Sequence, residues 1–188
     1  MTGKRTYQTF KEAADRGAYD EYPMLPDDVD PQLHLSVNDR AQPFYLICEK
    51  DCVLVQMSGS GVVSFRGSAV TSFPSVTGDF IYVPARTPHR IVPTERSIQY
   101  RYKAQNPGYE AVCWYCEHCG ERIGIQAWDA AVELPQEGYL RACETFNADE
   151  ERRRCGCGQV HPPIDLTPYR WAEVAAQLRS KAAASDEW

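Results

Sequence analysis

The chain has 188 residues, 43% of them hydrophobic and 24% charged, an ordinary composition that allows one full domain with a smaller module beside it. Its net charge of −6 argues against nucleic acid or an anionic membrane as the main partner. No apolar run approaches membrane-spanning length, the opening MTGKRTYQTFKEAADRG lacks a signal-peptide core, and eight cysteines without an export signal point to metal binding in the cytoplasm rather than to disulfides.

Residues 1–32 read as an N-terminal arm. Tyr7, Phe10, Ala13 and Ala14 share one face of a short helix that ends at Gly17, and an acidic, proline-punctuated stretch (EYPMLPDDVDP) follows. Such a segment cannot build a core alone, and it is expected to pack on the surface of something else, such as a second subunit.

Residues 33–108 carry only β signals. LHLSV, PFYLIC, CVLVQM, GVVSF, AVTSF, DFIYVP, HRIVP and SIQYRYKA are short runs of strand formers separated by turn residues, a pattern that predicts a closed antiparallel sandwich or barrel. Within them, Gly78, Asp79, Pro84 and His89 form a G-D-x4-P-x4-H arrangement. This resembles the second motif of the cupin superfamily, and the resemblance implies that Gly78 turns into a strand, Pro84 ends it, and His89 begins the next strand facing inward as a metal ligand.

Residues 109–163 bring a C-x-x-C-G knuckle (Cys116, Cys119, Gly120) and a C-x-C-G knuckle (Cys155, Cys157, Gly158). Four thiolates so arranged can close a tetrahedral site around one Zn or Fe ion, and the glycines suit the sharp turns that aim backbone N–H groups at sulfur. Two disulfides or four unrelated thiols are the alternatives. With no open position, such a site is structural. Between the knuckles, mixed strand and helix signals make Trp128, Leu134, Tyr139 and Phe146 core candidates. Residues 164–188 hold a C-terminal helix over Thr167–Ala184, with Thr167 as N-cap, Pro168 at the first helical position, and Trp171, Val174, Ala175 and Leu178 on one face.

The barrel pattern followed by W-Y-C-x-x-C-G (Trp114–Gly120) and R-R-C-x-C-G-Q-V-H-P (Arg153–Pro162) resembles bacterial 3-hydroxyanthranilate 3,4-dioxygenases over roughly residues 33–162. The resemblance implies an all-β-dominated cupin (a double-stranded β-helix, or jelly-roll, barrel) with a small rubredoxin-like module held by Cys116, Cys119, Cys155 and Cys157, a terminal helix and a homodimer. Family members are non-haem Fe(II) ring-cleaving enzymes with two histidines and a glutamate on the metal. Here the loop carrying the first histidine and the glutamate is reduced to the turn Glu49-Lys50-Asp51, with Cys52 standing about where the glutamate belongs. No histidine lies between Ser36 and Arg86, and the acidic residue of the last barrel strand gives way to Tyr100, Arg101, Tyr102 and Lys103. Only His89 of the iron triad survives. His34, Cys48 and Cys52 are possible replacement ligands, Cys48 and Cys52 could form a disulfide across their turn, and both cysteines equally suit small buried hydrophobes.

These departures predict a diverged enzyme for a small aromatic or amino-acid-derived molecule, with no assigned catalytic metal. His89 would serve as general acid or base with Tyr100, Arg101 and Tyr102 beside it, in dehydration, isomerisation, tautomerisation or cyclisation. Tyr45, Gln56 and Tyr82 would bind the substrate, and Arg90 or Arg101 would clamp a carboxylate. An oxygenase with a rebuilt metal site, and a non-catalytic ligand-binding protein or partner subunit, are the other readings.

Overall fold

The computed structural model describes residues 6–185. Its strands are β1 (Tyr22–Pro23), β2 (Gln32–Asn38), β3 (Tyr45–Cys48), β4 (Cys52–Ser58), β5 (Ser60–Phe65), β6 (Ser72–Val76), β7 (Phe80–Val83), β8 (His89–Pro93), β9 (Ser97–Lys103), β10 (Tyr109–Tyr115) and β11 (Arg122–Asp129). Three α-helices accompany them among the described residues: α1 (Thr9–Ala14), α2 (Pro135–Asn147) and α3 (Trp171–Ser185). One antiparallel sheet has the order β1-β2-β9-β4-β7 and the other β11-β10-β3-β8-β5-β6. From β2 to β10 the chain crosses repeatedly from one sheet to the other, which is the winding of a jelly-roll barrel and the cupin fold that the residue pattern implies. No described helix is long and apolar enough to cross a membrane.

Alternation along the strands decides what enters the barrel. On β9, Ser97, Gln99, Arg101 and Lys103 face the lumen, whereas Ile98, Tyr100 and Tyr102 face outward; on β4, Cys52 and Leu54 face in and Val53, Val55 and Met57 face out. Two cores result. One fills the lumen and runs on beneath α2 and α3, through Leu46, Leu54, Val63, Val112, Trp114, Tyr139 and Trp171. The other lies on the outer face of the first sheet, where Leu35, Val37, Val55, Ile98 and Tyr100 meet Ala13 and Met24 of the arm. Tight turns make the crossings possible. Gly59, at φ +72°, joins β4 to β5, and a side chain there would meet the Arg96 carbonyl oxygen at 2.6 Å.

The arm differs from its expectation, because it packs on this chain's own barrel. β1 pairs with β2, Ala13 and Met24 enter the outer core, and Tyr19–Glu21 plug one end of the lumen. Glu137 accepts the Leu134 backbone N–H at 2.8 Å at the start of α2, and Pro135 occupies the first turn, so Leu134 ends up as a half-buried cap rather than core. Trp128, Tyr139 and Phe146 are core as expected. The last helix starts at Trp171, later than the expected Thr167, because the Thr167 hydroxyl is taken by Asp165 at 2.7 Å and Thr167 and Pro168 lie in a turn closed by the Tyr169 N–H on the Leu166 carbonyl. The second sheet also crosses the boundary expected at residue 108: β10 pairs with both β3 and β11, so the first knuckle hangs from a barrel strand.

Candidate functional site

The four cysteines of the knuckles converge. Their sulfurs all lie within 4.8 Å of one another, with Cys116 and Cys157 at 3.7 Å and Cys119 and Cys155 at 3.4 Å. Metal–sulfur bonds of about 2.3 Å in a tetrahedron put sulfurs ~3.8 Å apart, so the set fits one Zn or Fe ion. Each knuckle closes as a tight turn on its glycine. The Gly120 N–H donates to the Cys116 carbonyl at φ +78°, and the Gly158 N–H to the Cys155 carbonyl at φ +90°. An ion held there would have four protein ligands and no open position, and it would tie β10 to the segment after α2.

The lumen holds a different centre. Arg101, opposite Leu54 and His34 in the sheet, is 2% exposed, and its guanidinium makes three contacts. Nε donates to Glu21 Oε1 at 3.0 Å, while Nη1 donates to His89 Nε2 at 2.7 Å and to Cys52 Sγ at 3.3 Å. A guanidinium only donates, so His89 Nε2 must accept and the imidazole proton sits on Nδ1, which donates to the Thr87 carbonyl at 3.1 Å. Nearby, Lys103 pairs with Glu110 at 2.5 Å, and His34 Nδ1 donates to the Glu21 carbonyl at 3.0 Å. Glu21 reaches this centre from a backbone with Tyr19 at φ +53° and Glu21 itself at φ +45°. Trp171 Nε1 holds the Tyr19 carbonyl at 3.0 Å, and the Gln136 amide of α2 donates to the Asp20 and Glu21 carbonyls at 2.6 and 3.0 Å.

Burial and the neighbouring cations set the protonation states. Desolvation, reinforced by Arg101, pushes His89 down to about 3, and desolvation with Lys103 pushes His34 down to about 4, so both imidazoles are neutral. Burial works to raise Glu21, but Arg101 and Lys103 prevail and keep it ionised. The neighbouring Cys48 thiol, together with Arg101, brings Cys52 down to about 7 against the effect of burial, while Cys48 is pushed well up.

The expected site residues separate into different regions. His89 and Arg101 are brought together. Tyr100 and Tyr102 point away from them into the outer core, with Tyr100 bonded to Thr9 at 2.8 Å. Gln56 is in the lumen but belongs to an amide chain with Gln99 and Ser75. Tyr82 is 57% exposed on the far side of β7 and interacts with Asp51. Tyr45 lies on the outer face of the second sheet, edge-on to Tyr115 at 5.1 Å. The reason is period two: inward Arg101 puts Tyr100 and Tyr102 outward, and inward Leu46 does the same to Tyr45. Glu21, Lys103 and Glu110 escaped the sequence reading. The signal for Lys103 was its i, i+2 relation to Arg101 opposite an apolar face; Glu21 had none, since its place depends on the folded arm.

An iron in the barrel does not fit these residues. His89 Nε2 is capped by Arg101, His34 Nδ1 is committed to Glu21, and Cys52 contacts a cation. Among the described residues, the knuckle cysteines are the one group of three or more metal-ligating side chains with converging ligand atoms.

Fold and site together define a cupin-type barrel carrying a four-thiolate cluster. No family model matches the chain. Over 95 residues it is 34% identical to a 3-hydroxyanthranilate 3,4-dioxygenase of Paraburkholderia phytofirmans, a match covering 45% of this chain and 50% of that enzyme. The chain thus spans about half the length of the curated relative it matches. Among solved structures, a cupin-2 domain protein of Shewanella frigidimarina is similar at TM-score 0.44 and 14% identity, covering 53% of this chain and 94% of that one. The hydroquinone 1,2-dioxygenase PnpCD is similar at TM-score 0.45 and 12% identity, covering 57% and 82%.

Proposed function

We propose that the chain is a cupin-type protein of small-molecule metabolism that binds a small aromatic acid without a barrel metal and does not cleave the ring. One observation carries this reading: the Nη1 of Arg101 lies 2.7 Å from the Nε2 of His89, the histidine through which the resembled family would hold iron. The guanidinium supplies a fixed positive charge there and no open coordination position. The 3-hydroxyanthranilate 3,4-dioxygenase similarity supports the substrate class, a small aromatic molecule, and the loss of the ligand set argues against the reaction. The four cysteines would hold Zn or Fe, which supplies a structural cross-link when bound.

The same geometry weighs against proton transfer at His89. That residue has no exposed surface, its free nitrogen is occupied, and a base held down to about 3 is too weak to take a proton near neutral pH. The test combines elemental analysis, oxygen uptake with 3-hydroxyanthranilate and a turnover screen, on wild type and His89→Gln. The reading expects one metal per chain in both proteins and no oxygen consumption. A second metal that disappears in His89→Gln together with oxygen uptake would overturn it in favour of a rebuilt oxygenase. Metal-independent turnover abolished by the same substitution would restore acid–base catalysis.

A further inference from the structure

Outside the barrel, a groove of about 520 Å³ lies between the outer face of the second sheet and the segment that follows the second knuckle. This is within the size range of small-molecule sites. Its floor carries two tyrosines, Tyr45 of β3 and Tyr115 of β10. Two arginines stand over them: the Arg66 guanidinium carbon is 5.1 Å from the Tyr115 ring centre and 5.5 Å from that of Tyr45, and the Arg90 carbon is 6.0 Å from Tyr45. Both cations therefore converge on one aromatic ring.

Their hydrogen-bonding capacity is largely unspent. Among the described residues neither forms an ion pair. Arg90 donates Nε to the Gln42 carbonyl at 2.7 Å, and the Nε of Arg66 is buried with no partner. The third arginine of the groove, Arg40, is already held by Asp39 at 2.7 Å. Of the two carboxylates at the rim, Asp165 is engaged by Thr167 and Glu117 is exposed. That Nε is closed to the groove, but the Arg66 Nη groups form no hydrogen bond among the described residues and are not buried, so they are the donors an anionic ligand could engage. A planar fork of donors matches a carboxylate, and tyrosine faces with arginine edges match a flat ring.

We propose that this groove binds a planar aromatic carboxylate, with its ring against Tyr45 and Tyr115 and its carboxylate between Arg66 and Arg90. The inference rests on the binding reading above for its expectation of a small-molecule ligand, and it places that ligand on the outside of the barrel. The groove also touches the metal centre. Tyr115 precedes the ligand Cys116, and a side chain at Gly120 would come within 3.9 Å of Arg66 Nη1, so the first knuckle backs the ligand's anchor.

Titration of the full, metal-loaded chain with benzoate, benzamide and acetate tests this, read by calorimetry and by the fluorescence of Trp114, which lines the groove. Benzoate should saturate, and benzamide, without the charge, and acetate, without the ring, should each bind about tenfold more weakly or worse. Arg66→Gln and Arg90→Gln should each reduce benzoate affinity by about tenfold, with melting temperature and metal content unchanged. Arg66→Lys, which keeps the charge without the fork, should fall between. His89→Gln should leave the affinity at the wild-type value. Equal binding of benzoate and benzamide, wild-type affinity in both glutamine variants, or no saturable signal at millimolar benzoate would overturn the groove. Affinity lost in His89→Gln but kept in Arg66→Gln would overturn it while leaving the binding reading standing. A second, His89-dependent metal would sink that reading and leave the groove's arginine dependence to be judged on its own titration.

Discussion

Replacing Arg101 by Met removes the cation at the centre of the lumen and leaves its partners in place. The Glu21 and Arg101 side chains are 3% and 2% exposed, so water cannot take over. Glu21 would be left as an unpaired carboxylate, His89 Nε2 as an acceptor without a donor, and Cys52 without its stabilising charge. Breaking one side of a buried ion pair costs about 3–5 kcal/mol. For a chain of this length each kcal/mol moves the melting temperature by about 2–4 °C, so the expected fall is roughly 6–20 °C. The network is also incompletely satisfied, since Glu21 Oε2 and Arg101 Nη2 have no hydrogen-bond partner. Removing both charges together should therefore cost less than removing one. Urea denaturation of Arg101→Met, Glu21→Gln and the double variant forms a cycle, and a coupling of about 2 kcal/mol or more is expected. A single Arg101→Met loss below about 1 kcal/mol, with the two substitutions additive, would refute the claim that this pair holds the lumen.

His89 gives a pH signature. It titrates near 6.5 when unfolded and at about 3 when folded, so between those values the unfolded chain takes up a proton that the folded chain refuses, and stability falls as pH falls. Between pH 6.5 and 5 this amounts to about 2 kcal/mol, which His89→Gln should remove from the pH dependence of the urea midpoint, leaving the His34 contribution. Chelation of an ion held by the four cysteines should expose the amides of Gly120 and Gly158 to hydrogen exchange while those of β9 stay protected; loss of protection in both would mean that the barrel depends on the cluster. Gly138→Ala in α2 would place a methyl 2.5 Å from the Trp128 ring, and thermal melting should show a loss of about 1–3 kcal/mol in spite of alanine's better helix propensity.

Much of the fold was legible because it follows from local rules. Strand runs bounded by turn residues gave β2 to β5 and β7 to β9, whereas the AVTSF run (69–73) is not strand until β6 starts at Ser72; Gly78, Pro84 and His89 set one strand boundary each. The knuckles were equally readable, since ligand type, spacing and following glycine state the geometry. What could not be read was which of several polar residues would meet. Tyr100, Arg101 and Tyr102 are adjacent in sequence, and membership of one segment says nothing of a shared face; alternation puts Arg101 beside His89 and sends both tyrosines to the arm. Glu21 lies 80 positions before Arg101, in a segment whose left-handed residues at Tyr19 and Glu21 leave no local pattern. Its role is a consequence of tertiary closure.

A metal ion in a barrel of this kind would both hold buried ligands together and offer open positions to substrate. Arg101 reproduces only the first role. Its Nε and Nη1 donors engage Glu21, Cys52 and His89 as a cation would, and a guanidinium has no open coordination position at which a second molecule could be activated. The plug of Tyr19–Glu21, fastened by Trp171 and Gln136, then closes the end of the lumen. His89 and Arg101 are 0% and 2% exposed, whereas Arg66 and Arg90, which form no ion pair among the described residues, stand outside the barrel over Tyr45. With ion-paired charge within and unpaired arginines without, the outer face of the second sheet is the first place to test for ligand binding.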